Sequence, residues 1–457
     1  MTTSSKRIHI VGVGGPGTSA IAIILNEMGH EVSGSDVRET PVLQKLRSLG
    51  VRVNVPHDAG VVRGCEIVTH SAAVRQTNIE LVCARDAGTT VLTRAEMLGW
   101  ICGQADTVAV AGTHGKTTTT TLLTLMLRAA GRDPGYLIGA DVPQLTNSAH
   151  WGSGPFIIEA DESDSSHRAI KPRATILTNI DIDHLDEHGS FDGIVASFDA
   201  YLSEVPGPKV VCADDETAAR LGVAKGATTY GLSTADVTAN QVRHVDGGTT
   251  FTVRERGDDH AVVLPLRGLH NVQNFLAAYA MARQFGVEPQ TAIDAVREFK
   301  GVHRRFDVRA TDGGATFVDD YAHLPAEIAA VLAAVRAERS HWRRIIAVFQ
   351  PNRFNRMAVM SDAYRDAFVD ADLVVVTDIY ASGTDRIEGV TGHLVVDAIR
   401  RAHPAARIEW QAQRSELIDF VAREARDGDV CISMGCGDIE TFPDEVVARR
   451  RELARGR

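Results

Sequence analysis

The chain has 457 residues, of which 44% are hydrophobic and 23% charged, and a formal net charge of −11. That balance excludes a disordered or collagen-like chain, and the length exceeds what one core of roughly 250 to 300 residues serves, so several domains are expected. The acidic total disfavours nonspecific nucleic-acid binding, no apolar run reaches the roughly 18 residues of a membrane span, and the six cysteines form no CxxC pair that would suggest zinc or a disulfide framework; the expectation is a cytoplasmic enzyme with reduced, mostly buried thiols, no nucleic-acid partner and no membrane partner.

The first segment, RIHIVGVGGPGTSAIAIILNEMGHEVSGSD, reads as strand, glycine turn, helix and strand, ending on Asp36. Glycines at such a turn let a pyrophosphate approach the backbone, and an acid at this spacing takes ribose hydroxyls. Taken alone, the pattern suggests a nicotinamide enzyme. The short β-rich runs VRVNV, CEIVTHSAAV and TTVLT continue a parallel sheet, and this unit is expected to close near Gln104.

The next stretch, VAVAGTHGKTTTT, organises the chain. An apolar strand enters Gly112 and a helix leaves from Thr117, with Thr113, His114, Gly115 and Lys116 between them. Backbone N–H groups around the glycines and the helix N-terminus suit phosphate oxygens, Lys116 can reach the outer phosphates, and Thr117 can hold magnesium, with Thr118 following. The alternative is an ordinary strand-to-helix turn with a surface lysine. Further strands, FIIEADESD, ATILTNIDIDHLDEHG and KVVCADD, place Glu159 and His184 at strand ends in the same unit. A carboxylate is the usual partner of a hard ion, so Glu159 suits magnesium as well as a capping or salt-bridge role. His184 is equally a metal partner or part of a charged loop with Asp181, Asp183 and Asp186.

From about Thr228 to Pro265 the runs alternate, as an antiparallel excursion would, and GLHNVQNFLAAYAMARQFG then has helical spacing. His270 and Asn274 share one helix face with Asn271 at its start, where amides can read an adenine edge or simply cap the helix. Arg304 and Arg305 are either an exposed basic turn or a phosphate clamp. After the turn at Gly313 and Gly314, strands and helices alternate again through ATFVDDYAHLPAEI, RRIIAVFQ, ADLVVVTDIY, RIEW and DVCISMGCGD. Arg353 and Arg356 follow one of these strands and can pair bidentately with a carboxylate. The basic tail VVARRRELARGR reads as a solvated helix end.

Taken together, HIVGVGGPGTSAIA, SGSD, THSAAV, GTHGKTTTT, EADESD, TNIDIDHLD, GLHNVQNFLAA, GVHRRFD, DDYAHLPAEI, FQPNRF, DIYASG and GCGDI resemble, in order along nearly the whole chain, the Mur ligase family of ATP-dependent enzymes that build the peptide stem of cell-wall precursors. The DDY, RRF and FQPxR forms resemble its alanine-adding branch. The resemblance implies an α/β protein of three domains: a Rossmann-like UDP-sugar domain at 1–104, a central P-loop ATPase-like parallel sheet binding ATP at 105–309, and a Rossmann-like amino-acid domain at 310–457. It implies Gly14, Gly15 and Gly17 at the diphosphate, with Asp36 and Ser71 nearby. ATP would sit on Gly112 to Thr118, with magnesium on Thr117, Glu159 and His184, adenine at His270, Asn271 and Asn274, and Arg304 near the phosphates. Tyr321, His323, Arg353 and Arg356 would receive the amino acid. The implied reaction joins L-alanine to the carboxylate of UDP-N-acetylmuramate through an acyl phosphate. The alternative is a related ligase with another acid or amine, because this chain departs from the family pattern at Pro16 to Ala20, Ser165 to His167, Leu324 and Asn352.

Overall fold

The computed structural model describes residues 4–160, 166–183, 189–338 and 341–455. Three sheets carry the fold. In the first, β1 (Arg7–Val11), β2 (Glu31–Ser35), β3 (Arg52–Asn54), β4 (Ile67–His70) and β5 (Thr90–Thr93) run parallel in the order β3-β2-β1-β4-β5. The order turns back at β1, which opens a crevice at the carboxyl ends of β1 and β4, the usual ligand position of a doubly wound sheet. Pro16 begins the helix Pro16–Glu27, where a missing N–H costs nothing, and the helix buries Ile21 to Leu25.

The second sheet holds β6 (Thr107–Ala111), β7 (Gly135–Leu137), β8 (Ala149–His150), β9 (Phe156–Glu159), β10 (Ala174–Leu177), β11 (Lys209–Cys212), β12 (Thr228–Gly231), β13 (Val237–Val245), β14 (Gly248–Glu255) and β15 (Asp258–Leu264). Their order is β15-β14-β13-β12-β11-β10-β6-β9-β7-β8. β6 lies parallel between β9 and β10 and is buried along its whole length, which explains its unbroken apolar sequence. Two-residue turns join β13 to β14 and β14 to β15, a connection only antiparallel neighbours permit, so the excursion expected after Thr228 is present.

The third sheet has the order β16-β17-β21-β18-β19-β20. It comprises β16 (Asp307–Asp312), β17 (Ala315–Asp320), β18 (Arg344–Phe349), β19 (Leu373–Val376), β20 (Ile408–Trp410) and β21 (Asp429–Met434). The Gly313–Gly314 turn makes β16 an antiparallel partner of β17, and the other pairings are parallel. After β20 the chain returns to place β21 between β17 and β18, so the switch point lies at the carboxyl ends of β18 and β21.

The chain separates into two compact units: Met1–Asn240 with Thr252–Val262 and Gln273–Glu298, and Gln241–Phe251 with Val263–Val272 and Phe299–Arg457. In the former, one continuous core runs from Ile21, Leu25 and Ile101 to Phe156, Ile170 and Leu202, so the first two sheets are packed together. All six cysteines are free thiols; Cys102, Cys212 and Cys431 are buried, and Cys65, Cys83 and Cys436 are half-buried, fewer buried than expected. The tail corrects a second expectation. In the helix Phe442–Arg455, Arg450 donates to Asp312 and to the carbonyls of Ala422 and Ala425, and Arg449 pairs with Asp419, so the helix end is anchored rather than freely solvated. No helix among the described residues is long and apolar enough to cross a membrane.

Candidate active site

β6 delivers the chain to Gly112, and the helix Lys116–Ala129 leaves from Gly115. Gly112 has φ +117° and Gly115 φ +81°. Both values lie where a side chain is strained, and a Cβ at Gly115 would strike the amide oxygen of Asn274. The turn is therefore tight enough to present backbone N–H groups at a helix N-terminus, the arrangement that holds anions. Lys116 Nζ donates to the carbonyls of Gly112 at 2.7 Å and Thr113 at 3.2 Å, which keeps its charge over the loop.

Neighbouring strands brace this turn. Because β10 pairs with β6, the segment after Leu177 lies against it: Asn179 accepts from the His114 N–H at 2.8 Å, and Thr178 Oγ1 donates to the His114 carbonyl at 2.6 Å. Asp181 lies 3.0 Å from His114 Nε2, and that hydrogen bond holds its carboxyl below the usual range against the effect of burial. From β9, Glu159 Oε2 accepts from Thr117 Oγ1 at 2.9 Å, and its other oxygen accepts from the Gly139 N–H at 2.6 Å. Two hard oxygen donors thus meet beside the loop, the ligand chemistry magnesium takes. His184, like Asp186, lies outside the described residues. Asn274 is buried against the loop, where its amide oxygen accepts from Thr119 Oγ1 at 3.3 Å.

His270 and Asn271 belong to the other unit. Asn271 Nδ2 donates to the Arg267 carbonyl at 2.8 Å and lies 3.0 Å from His270 Nε2. Burial, helped by the Arg305 charge, pushes the His270 imidazole down to about 4, so it is uncharged at neutral pH.

At the carboxyl edge of the third sheet, Arg304 Nε donates to the fully buried Asp319 at 2.9 Å and Nη2 to the Gly435 carbonyl at 2.8 Å. The guanidinium carbons of Arg304 and Arg305 each stand 5.0 Å from the Tyr321 ring centroid. Asp320, missed in the sequence as a site residue, accepts the N–H groups of Phe306 and Ala322, each at 2.7 Å, and ties these two loops together. Burial raises its carboxyl to about 6 despite the Arg305 charge. His323 Nδ1 is 3.1 Å from the Tyr321 carbonyl and 3.2 Å from Glu327, whose carboxylate also caps the following helix. At the switch point Arg353 has φ +61° and ψ 121°, and Arg356, nearly buried, donates to Asn352 at 2.8 Å. Cys436, which the sequence reading left out of the site, is close enough to feel the charges of Arg356, Arg304 and Arg353, although burial still raises its thiol.

On the first sheet, the Gly14 N–H donates at 2.9 Å to Asp36, which follows β2, and the Ser71 N–H donates to the Val11 carbonyl at 3.0 Å, continuing the β1–β4 ladder. Arg94 lies against Gly17, and Gly15 faces Thr18 and Ser71.

Residues 7–105, 110–282 and 304–437 match, respectively, the profiles described as Mur ligase family, catalytic domain; Mur ligase middle domain; and Mur ligase, glutamate ligase domain. A UDP-N-acetylmuramate–L-alanine ligase of Sorangium cellulosum is 40% identical over 453 residues, 97% of this chain and 96% of its own. The enzyme of that name from Rubrobacter xylanophilus is 39% identical over 97% of this chain and 100% of its own. Among solved structures, the UDP-N-acetylmuramate-alanine ligase of Thermotoga maritima superposes with a TM-score of 0.81 at 28% identity, covering 98% of this chain and 100% of that one. A murein peptide ligase of Psychrobacter arcticus gives 0.68 at 26% identity, over 97% and 98%. With its three α/β domains and its phosphate loop in the middle one, this chain belongs to the Mur ligase family.

Proposed function

We propose that the protein joins L-alanine to the lactyl carboxylate of UDP-N-acetylmuramate at the expense of ATP, in peptidoglycan precursor synthesis. The observation that carries this reading is the loop from Gly112 to Thr118, with Lys116 over it and the Thr117–Glu159 oxygen pair beside it. In this reading residues 1–104 bind the UDP sugar through Gly14, Gly15, Gly17, Asp36 and Ser71. Residues 105–309 bind ATP, with Asn274, His270 and Asn271 toward the adenine and Arg304 toward the phosphates. Residues 310–457 receive the amino acid at Tyr321, His323, Arg353 and Arg356.

The chemistry follows from charge. A sugar carboxylate attacking the γ-phosphate brings two anions together, and Lys116 with the loop N–H groups offsets that repulsion. Magnesium, which Thr117 and Glu159 would hold together with His184, supplies further neutralisation when bound. The acyl phosphate so formed is attacked by the amine of alanine, and phosphate leaves. The amine must first lose a proton, and His323, whose Nδ1 lies near Glu327 and the Tyr321 carbonyl, would take it, with solvent or phosphate as the competing base. Arg353 and Arg356 would hold the alanine carboxylate.

A second reading keeps the chemistry and changes the partners. It is favoured by Asn352, which stands where the family usually carries histidine and engages Arg356 directly. Purified protein incubated with ATP, magnesium, UDP-N-acetylmuramate and each amino acid in turn distinguishes them by product mass. The primary reading expects phosphate release that depends on both alanine and the sugar. Equal turnover without the sugar removes it, and preference for another amine promotes the second.

A further inference from the structure

A buried polar cluster in the first sheet has no part in the roles assigned above. Glu80, fully buried, accepts from Ser35 Oγ at 2.5 Å and from the Asp58 N–H at 2.8 Å, and lies 3.4 Å from Nε2 of the equally buried His9. Ser35 Oγ is also 2.9 Å from His57 Nδ1, which is 3.3 Å from Glu80 itself. His9 Nδ1 meets Ser33 Oγ at 2.9 Å. Burial acts to raise the Glu80 carboxyl, yet the hydrogen bonds from His9, Ser35 and Asp58 together hold it below the usual range, so it is a carboxylate at neutral pH.

That fixes the direction of each proton. A carboxylate only accepts, so the single hydroxyl proton of Ser35 points to Glu80, and Ser35 Oγ must accept from His57 Nδ1–H. In the uncharged ring this leaves His57 Nε2 as an acceptor. Ser35 is the last residue of β2 and pairs with Asn54 at the end of β3. His57 follows β3 and keeps 16% of its side chain exposed. It therefore stands at the carboxyl edge of the sheet, beyond Asp36, where a doubly wound sheet places the nucleoside of its ligand.

We propose that His57 is a specificity residue of the nucleotide-sugar site, whose Nε2 accepts a hydrogen bond from a donor on the nucleoside, the uracil ring N–H or a ribose hydroxyl, and that buried Glu80 is the positioning residue that sets its tautomer through Ser35. This rests on the assignment of the first sheet to the UDP sugar.

Calorimetry with uridine 5′-diphosphate, together with nitrogen-15 NMR of the histidine rings, tests it on the full chain. The unaltered protein should show His57 protonated on Nδ1. His57→Ala should bind the diphosphate about tenfold more weakly while ATP binding is unchanged. Glu80→Gln presents an amide donor to Ser35, reverses the relay, moves the His57 proton to Nε2 and should cost a similar factor. The N3-methyl and 2′-deoxy analogues identify the donor: the analogue lacking it should bind the unaltered protein about tenfold more weakly, with no further loss in His57→Ala. Equal affinity of His57→Ala and the unaltered protein, or an Nε2-protonated His57 in the latter, overturns the inference while leaving the assignment of the sheet intact. A protein that binds no uridine diphosphate at all removes both. The His57→Ala and tautomer measurements do not depend on Glu80→Gln folding.

Discussion

The glycine turn after β6 and the carboxyl edge of the third sheet both gather donor groups, Lys116 at the one and Arg304 at the other, yet they solve the backbone problem in different ways. In the loop, the positive-φ positions are Gly112 and Gly115, and the turn presents backbone N–H groups at a helix N-terminus. At the third edge, Gly435 also has a positive φ, but so do Arg304, Phe306 and Arg353, where side chains stand on strained backbone. Where the main chain itself is packed this closely, a Cβ is an obstruction and glycine is required. Where a guanidinium is presented instead, as at Arg304 and Arg353, the strain is accepted, at about 1 kcal/mol or more per residue.

The comparison can be broken most severely at Lys116, whose ammonium stands over the loop turn. Lys116→Ala should lower ATP-dependent phosphate release about a thousandfold, a loss on the scale of removing a preorganised charge from a transition state. A phosphate-release assay that found only a few-fold change would show that the backbone suffices.

Asp320 tests the third edge by pH. Its carboxyl is raised from 3.8 to about 6, so the folded protein binds this proton more readily than the unfolded chain does. The sign follows: Asp320 destabilises in full above about pH 6, and the penalty of about 3 kcal/mol is relieved as pH falls from 6 to 4. Denaturant titrations across that window should show this slope in the unaltered protein and its absence in Asp320→Asn.

Gly115→Ala should cost about 2 kcal/mol of stability, from the left-handed backbone and the collision with Asn274 together. Adding Asn274→Ala should recover only the steric part, which thermal melts of the single and double variants would separate. The smallest effect is expected at the third edge. Arg353→Gly should be more stable than Arg353→Ala by about 1 kcal/mol in chemical denaturation, because only glycine relieves φ +61°, while both raise the KM for the amino acid.

Local chemistry made the phosphate loop readable in advance: strand composition, two glycines, a lysine and a threonine at the start of a helix are all contiguous. Glu159 was readable as an acid ending an apolar strand, but its partner Gly139 was not, because β7, β9 and β6 become neighbours only through crossovers. The same holds for Asn179 and Asp181, which brace His114 from β10. Asn274 was legible as one face of a helix, whereas its burial against Gly115 depends on a contact across more than 150 residues, as the 155-residue separation from Thr119 shows. The basic tail misled for a physical reason: composition alone does not distinguish an arginine in water from one such as Arg450, whose charge is met by a carboxylate and two carbonyls.

The position of β21 has a bearing on how the protein is made. It pairs with β17 on one side and β18 on the other, although more than 75 residues of chain lie between the end of β18 at Phe349 and its own start at Asp429. A ribosome emitting about 5 to 20 residues per second therefore leaves the edges of β17 and β18 uncovered for several seconds. During that interval the first two sheets have all their strands, and the third lacks the strand that joins β17 to β18. Nascent chains arrested before residue 429 should accordingly be able to complete the nucleotide-binding part while exposing apolar strand edges to chaperones or to one another.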